Sequence, residues 1–227
     1  MKTLIIVPAY NEGENIERVI NNLKDNFPQY DYIVINDGSR DNTEQICREK
    51  GFNFISHPVN LGLAGAVQTG MKYAYKHGYD AAVQYDGDGQ HDARFISPML
   101  EELKAGNDVV IGSRFVTEKK PHSLRMLGSN MIQFAIRLTT GKTIKDPTSG
   151  MRMYNKKLIE KLAFALDLGP EPDTVALFIR KKFKVKEIQV EMLERIAGES
   201  YLNFSRSIKY MMRMFVSILI LQWFREV

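Results

Sequence analysis

Through the first half of the chain, short runs of aliphatic and β-branched residues alternate with stretches whose apolar residues recur every three or four positions. The runs at residues 3–7, 32–36, 53–57, 80–85 and 108–112 predict strands, and residues 14–26, 41–50, 62–77 and 93–104 predict the helices between them. Strands that alternate with helices of this length build a mostly parallel sheet flanked by helices, so the fold class is α/β. Glycines and prolines fall at the ends of the predicted strands, where an open α/β sheet places its ligand crevice.

Beyond residue 114 the alternation loosens. Residues 119–123 read as a loop, 124–140 as a helix stopped by Gly141, 146–150 as a turn-rich segment and 155–165 as a helix. A break at 169–172 precedes a helix at 174–182 and a strand at 185–190, and residues 202–224 are helical in pattern and increasingly apolar. The expected organisation is one domain over residues 1–200, with halves at 1–113 and 114–200, and a C-terminal amphipathic helix over 201–227.

Composition narrows the class. At 227 residues, 44% hydrophobic and 26% charged, the chain suits one sizeable α/β domain with a short extension. The single cysteine, Cys47, leaves no internal disulfide and no thiolate metal cluster, which suits a reducing compartment. It falls in the apolar pattern of a predicted helix and is expected to be buried. The opening residues read as a strand rather than a secretory leader. Charge is divided unevenly: residues 1–113 carry 10 Lys+Arg against 16 Asp+Glu, and residues 114–227 carry 21 against 11. The basic second half is expected to meet an anion, with nucleic acid, phospholipid headgroups and a phosphorylated substrate all eligible.

The chemistry concentrates in Val83-Gln84-Tyr85-Asp86-Gly87-Asp88-Gly89-Gln90-His91-Asp92. An apolar strand runs into two carboxylates, and strand alternation points Asp86 and Asp88 to the same side. Two like charges that close call for a cation, and Mg²⁺ or Mn²⁺ would hold both carboxylates together with diphosphate oxygens. Gln90 offers a third oxygen, while Gly87 and Gly89 let a phosphate approach the backbone. Asp92 reads as the N-cap of the following helix. A bare Asp-x-Asp is also what a polar turn looks like, so the pair gains meaning from its neighbours. Pro8-Ala9-Tyr10-Asn11-Glu12 follows the first strand, Asp37-Gly38-Ser39-Arg40-Asp41 follows the second, and Asn60-Leu61-Gly62-Leu63-Ala64-Gly65 precedes the long helix.

In order and spacing these four segments resemble the family-2 glycosyltransferases, which implies a GT-A-type nucleotide-sugar-binding sandwich with C-terminal amphipathic helices. Gly112-Ser113-Arg114-Phe115, Arg125 and Asp146-Pro147-Thr148-Ser149-Gly150-Met151-Arg152 resemble the polyprenyl-phosphate branch, the dolichol-phosphate mannose synthase-like enzymes. Glu194-Arg195-Ile196-Ala197-Gly198-Glu199-Ser200 is similar to that branch's Arg-x-x-Gly-Glu-Ser-Lys, with Tyr201 in place of the lysine. Gly169-Pro170-Glu171-Pro172-Asp173 departs from the aromatic-rich pattern usual there.

The resemblance implies roles residue by residue. Pro8, Tyr10, Glu12 and Asp37 would border the nucleoside, with Asp37 accepting from base or ribose. Asp86, Asp88 and Gln90 would approach the metal and diphosphate. Arg114 and Arg125 would hold the acceptor phosphate, with Ser149 and Arg152 as helpers. Asp146 would lie nearest the acceptor, either orienting an arginine or acting as a base. The implied reaction is inverting transfer of a hexose or N-acetylhexosamine, from UDP by preference, to a polyprenyl phosphate such as undecaprenyl phosphate, for cell-surface glycan assembly. No nucleic acid is expected as partner. Transfer to a soluble or glycan acceptor is the alternative enzyme, and a non-catalytic nucleotide-sugar-binding scaffold the alternative of another class. A dinucleotide oxidoreductase is disfavoured because no Gly-x-Gly-x-x-Gly follows the first strand, and a sugar nucleotidyltransferase because the Gly-rich basic loop is missing there.

The tail carries Arg206, Lys209 and Arg213 among Phe204, Ile208, Met211, Phe215 and Ile218, with Trp223 near its end. A membrane span needs about 20 apolar residues, and the apolar run here is shorter, so an in-plane helix on an anionic membrane is expected. Packing on the chain's own core or on a second copy is the alternative. The expected location is the cytoplasm, peripheral on the inner face of the cytoplasmic membrane. Relatives with additional membrane helices suggest a small membrane-protein partner in their place.

Overall fold

A computed structural model describes residues 1–121, 123–165, 168–193 and 204–225; for Leu124, Arg125 and residues 204–208 the description covers helical backbone alone. Among the described residues the chain forms seven strands and eight helices. In order they are β1 (Thr3–Ala9), α1 (Ile16–Asn26), β2 (Asp31–Asn36), α2 (Thr43–Glu49), β3 (Phe54–Ser56), α3 (Gly62–Lys76), β4 (Ala81–Gln84), α4 (Ile96–Lys104), β5 (Val109–Ser113), α5 (Leu124–Thr140), β6 (Arg152–Asn155), α6 (Lys156–Phe164), α7 (Pro172–Arg180), β7 (Val185–Gln189) and α8 (Phe204–Leu219). One sheet takes all the strands in the order β3-β2-β1-β4-β6-β5-β7. Every pairing is parallel except those of β6, which runs antiparallel between β4 and β5.

The alternation of β1 explains the layers. Leu4 and Ile6 enter one apolar cluster, with Met71 of α3, Ile136 of α5, Leu162 of α6 and Phe178 of α7. Ile5 and Val7 enter the other, with Ile16, Ile20 and Leu23 of α1 and Met99 and Leu103 of α4. Helix ends follow their sequence signals. The Ser123 hydroxyl caps α5 at the Met126 N–H (3.3 Å), the Asn155 side chain caps α6 at the Leu158 N–H (3.0 Å), and Gly141 closes α5 in the left-handed conformation. Cys47 is buried as expected, and burial pushes its thiol up to about 11.

Three departures from the sequence reading have local causes. Strand β6 was not expected, because its first residue is an arginine and the preceding segment is all turn residues. Arg152 is nevertheless fully buried, its guanidinium donating to the carbonyls of Pro147 (2.8 Å), Ser149 (3.0 Å) and Glu171 (3.0 Å). Helix α7 begins at Pro172, inside the expected break, because proline at the first helical position forfeits no hydrogen bond. Helix α8 buries Met214, Ser217 and Ile218 and packs on α5 and α7, so one side of the tail is core.

Candidate active site

The loops that leave the carboxyl ends of β1, β2, β3, β4 and β5 gather at one edge of the sheet. Antiparallel β6 brings the loop before it, residues 146–151, to the same edge. The first two loops are stitched together. Asn11 N–H donates to Ser39 Oγ (2.9 Å), Arg40 N–H to Asn11 Oδ1 (2.8 Å) and Glu12 N–H to Thr43 Oγ1 (2.9 Å). Pro8 and Tyr10 are half-buried beside them, and Glu12 is buried with Oε2 accepting from Asn15 Nδ2 (2.8 Å).

Asp37, expected beside the base or ribose, is engaged by the protein on both oxygens. Its buried carboxylate takes the N–H groups of Leu61 (2.8 Å) and Gly62 (2.8 Å), at the start of α3, and lies 2.8 Å from His57 Nδ1. It therefore fixes the start of the Asn60–Gly65 loop.

Asp86, Asp88 and Gln90 are brought together immediately after β4, all three half-buried. The Asp86 carboxylate is aimed from behind. Gln84 Nε2 donates to Oδ1 (3.2 Å), and the Asp86 N–H donates to His91 Nδ1 (3.0 Å). That hydrogen bond leaves the ring proton on Nε2, 3.6 Å from Asp86 Oδ2. The Tyr85 hydroxyl donates to the His91 carbonyl and holds the turn. A Cβ on Gly150 would sit 2.5 Å from Asp86 Oδ2, so that glycine makes room for the carboxylate. Asp88 Oδ1 accepts the Gln90 N–H (3.0 Å). The Arg18 guanidinium lies over Gly89, whose φ of +77° and close neighbour leave no space for a side chain. Asp92 caps the turn at 93–95 by accepting the Arg94 N–H (2.9 Å), as expected.

Among the described residues no three His, Cys, Asp or Glu side chains form a ready-made metal cage. Two half-buried carboxylates with the Gln90 amide close by in the chain nonetheless fit a hard divalent ion, which commonly takes one or two carboxylates and completes its shell with substrate phosphates and water.

In the loop before β6, Asp146 is completely buried and holds Arg114, just after β5, by a two-point fork: Nε to Oδ2 at 2.7 Å and Nη2 to Oδ1 at 2.8 Å, with the Arg114 N–H also on Oδ2 at 3.1 Å. Burial alone would raise the Asp146 carboxyl, but the hydrogen bonds and charge of Arg114 outweigh it and hold the group below the ordinary carboxylate range. Phe115 lies 5.1 Å from the guanidinium carbon. Lys120, read from sequence as loop, places its ammonium on Ser129 (3.2 Å), Asn130 (3.1 Å) and Gln133 (2.9 Å) of α5.

Two expected acceptor helpers are placed otherwise. Ser149 is buried with its hydroxyl on the Gly112 carbonyl, and Arg152 is spent on backbone carbonyls, so both shape the loop that carries Asp146 and Gly150. The Arg125 side chain and the segment 194–201 lie outside the described residues. Sequence reasoning missed His91, Gln84 and Arg18. His91 and Gln84 lay inside the quoted acidic segment, while Arg18 showed only as a charge on the outer side of α1.

Comparison with known proteins matches this arrangement. The model of glycosyl transferase family 2 fits residues 4–163. A UDP-N-acetylglucosamine–dolichyl-phosphate N-acetylglucosaminyltransferase of Methanococcus voltae is 34% identical over 207 residues, which is 80% of this chain and 80% of that one. A polyprenol monophosphomannose synthase of Mycolicibacterium smegmatis is 30% identical over 217 residues, 90% of this chain and 82% of the relative. In fold, the chain resembles glucosyl-3-phosphoglycerate synthase of Mycobacterium tuberculosis, solved with Mn²⁺, UDP-glucose and phosphoglyceric acid, with a TM-score of 0.72 at 17% identity over 100% of this chain and 81% of that one. The sheet is thus of the GT-A type. With the family model covering most of its length and its curated relatives named for polyprenol and dolichol phosphates, the chain belongs to glycosyltransferase family 2, in the polyprenyl-phosphate branch.

Proposed function

We propose that the protein transfers a hexose or N-acetylhexosamine, with inversion, from a UDP-sugar to a polyprenyl phosphate, and that it needs Mg²⁺ or Mn²⁺. The observation that carries this reading is the juxtaposition, at one sheet edge, of a half-buried acid pair and an arginine aimed by a buried carboxylate. Asp86, Asp88 and Gln90 would hold the ion, which supplies Lewis-acid stabilisation to the departing nucleoside diphosphate. Gln84 and His91 orient Asp86 for that task, and Arg18 adds positive charge beside Gly89. Pro8, Tyr10 and Glu12 border the nucleoside, with Asp37 organising the loop that leads into α3.

Arg114 receives the acceptor phosphate, and Arg125 is its expected second cation. The attacking phosphate oxygen needs little help from a base, because the second pKa of a phosphate monoester is about 6. That assigns Asp146 to orienting Arg114 rather than to removing a proton. The relatives named for dolichyl and polyprenol phosphates support the acceptor class, and the one named for UDP-N-acetylglucosamine supports the donor. Among the described residues no helix is long and apolar enough to cross a membrane. We place the protein peripherally on the cytoplasmic face of the membrane, alongside a small membrane protein or a second copy.

The test is a panel of UDP- and GDP-sugars with undecaprenyl phosphate and Mn²⁺, read by lipid-linked product. Asp88→Asn is expected to lower turnover by about two orders of magnitude or more, the scale of losing charge stabilisation in a transition state, with the fold intact. Full activity in excess EDTA refutes the metal role, and transfer confined to soluble acceptors refutes the lipid one.

A further inference from the structure

The C-terminal tail is tied to α7 at both ends of that helix. In the first turn of α7, Asp173 is buried, and its Oδ2 accepts the Ser217 hydroxyl (2.6 Å) and Arg225 Nη1 (2.7 Å). Just before the helix, Glu171 Oε1 accepts Arg213 Nη2 (2.9 Å), whose guanidinium carbon lies 5.6 Å from the centre of the Tyr210 ring. At the far end, Arg180 donates to the Gln222 carbonyl and stands over the Trp223 ring, 4.3 Å from its centre. Apolar packing alone, as Met214 and Ile218 supply it, would hold α8 on the core. The two ion pairs at the start of α7 add a register, the use of buried charge that is best attested.

That end of α7 adjoins the candidate site. The Glu171 carbonyl is one of three that hold Arg152, and the other two belong to Pro147 and Ser149, in the loop that carries Asp146 and Gly150. Arg152 is fully buried, so no water replaces an acceptor that moves away, and its planar fork must follow the carbonyls it holds. The loop has little slack, because a Cβ on Gly150 would stand 2.5 Å from Asp86 Oδ2. We propose that Glu171 and Asp173 are positioning residues: through Arg213 and Arg225 the tail sets the start of α7, and through Arg152 that start sets the loop facing Asp86 and Arg114. Glu171 is the joint, since its side chain takes the tail's arginine and its carbonyl takes the loop's. The path from tail to loop is thus an unbroken series of hydrogen bonds, with no step left to proximity alone. The proposal rests on the reading that Asp86 and Arg114 mark the metal and acceptor sides of a glycosyl-transfer site.

Full-length protein is compared as wild type, as Arg213→Gln with Arg225→Gln, and as Arg180→Gln, which cuts the tie at the far end of α7. Hydrogen exchange on the peptide covering residues 148–151 follows the loop without needing any acceptor. In the double variant that exchange should quicken by about tenfold, a change that residues along a connected network produce without touching a ligand. The kcat for transfer to polyprenyl phosphate with Mn²⁺ should fall by about tenfold, with KM for the nucleotide-sugar within about twofold of the wild type. Arg225→Lys, with Arg213 retained, keeps a cation on Asp173 and should keep most of the loop's protection. Arg180→Gln should lower the melting temperature and leave loop exchange and kcat as in the wild type. Wild-type loop exchange in the folded double variant overturns the proposal. So does equal quickening in Arg180→Gln, since the tail would then contribute only bulk stability. Should the double variant fail to fold, Ser217→Ala removes one donor from Asp173 without stranding a charge; loop exchange should then quicken by about twofold, and no change overturns the proposal. A wild type that does not glycosylate polyprenyl phosphate, with the exchange pattern as expected, counts against the acceptor reading and leaves the tail's role standing.

Discussion

Replacing Asp146 by Asn tests whether this carboxylate works by aiming Arg114. It accepts from Arg114 three times, twice on Oδ2 (2.7 and 3.1 Å) and once on Oδ1 (2.8 Å). An amide has a single acceptor atom, so whichever way the new side chain is turned its NH₂ group confronts an Arg114 donor. Turned with the oxygen at the Oδ2 position, it keeps two bonds without their charge and loses the third. Loss of one partner from a buried pair costs about 3–5 kcal/mol. The Arg114 side chain is 24% exposed, and water takes up part of the stranded charge, which places the expected loss near the lower end, about 3 kcal/mol. Urea denaturation reads that loss. Kinetics with saturating nucleotide-sugar should show transfer to polyprenyl phosphate falling by about tenfold to a hundredfold, because the guanidinium no longer meets the phosphate squarely, with donor affinity unchanged. The deciding measurement is a double-mutant cycle with Arg114→Gln. If Asp146 acts only through Arg114, the two lesions overlap and the double variant turns over no more slowly than Arg114→Gln. A further, fully additive loss in the Arg114→Gln background would mean that Asp146 touches the substrate itself, and the orienting role would be refuted.

Gly150→Ala puts a methyl 2.5 Å from Asp86 Oδ2; Mn²⁺ affinity in the presence of UDP, read by electron paramagnetic resonance, should weaken by about tenfold or more as one carboxylate is displaced, and unchanged affinity would remove Asp86 from the metal site. Arg152→Met strands the carbonyls of Pro147, Ser149 and Glu171 in the interior, so stability against urea should fall by about 3–5 kcal/mol; a loss under about 1 kcal/mol, the scale of one ordinary hydrogen bond, would show that the loop closes without its arginine. Acid should expose the Asp146 pair. Its folded carboxyl lies below the unfolded value of about 3.9, so its contribution is fully present above that pH and is lost as pH falls through the depressed folded value. Urea titrations from about pH 6 down to about pH 2 should therefore show wild-type stability falling towards that of Asp146→Asn below about pH 4, and parallel curves throughout would contradict the shift.

What the chain announces in its pattern and what it hides divide along physical lines. Strands β1, β2, β4 and β5 are largely apolar, so runs of Ile, Val and Ala marked them within a residue or two. Strand β6 carries no such signal. It has four residues, it enters through an arginine, and its pairing with β4 and β5 depends on groups from three loops that no local pattern links. The Asp86–Gln90 turn was found because two carboxylates at a strand end are costly without a ligand. His91 was not singled out, because its hydrogen bond to the Asp86 backbone exists only once the turn has folded back. Helix α5 was visible as helical periodicity, but which side faced the core depended on α7 and α8 lying against it.

Burial separates the acids that build this site from those that work in it. Asp37 and Asp146 are each closed off from water and each held by three or more donors, so their charge is consumed in fixing a neighbour: the start of α3 in one case, the Arg114 guanidinium in the other. For Asp146 the hydrogen bonds and charge of Arg114 favour the charged form over the proton a base must take up. Asp86 and Asp88 are half-buried at the mouth of the same edge. The sequence presents all four simply as aspartates after strands. They differ in depth: the inner pair sets the positions of loop and arginine, and the outer pair is the one we propose for the ion.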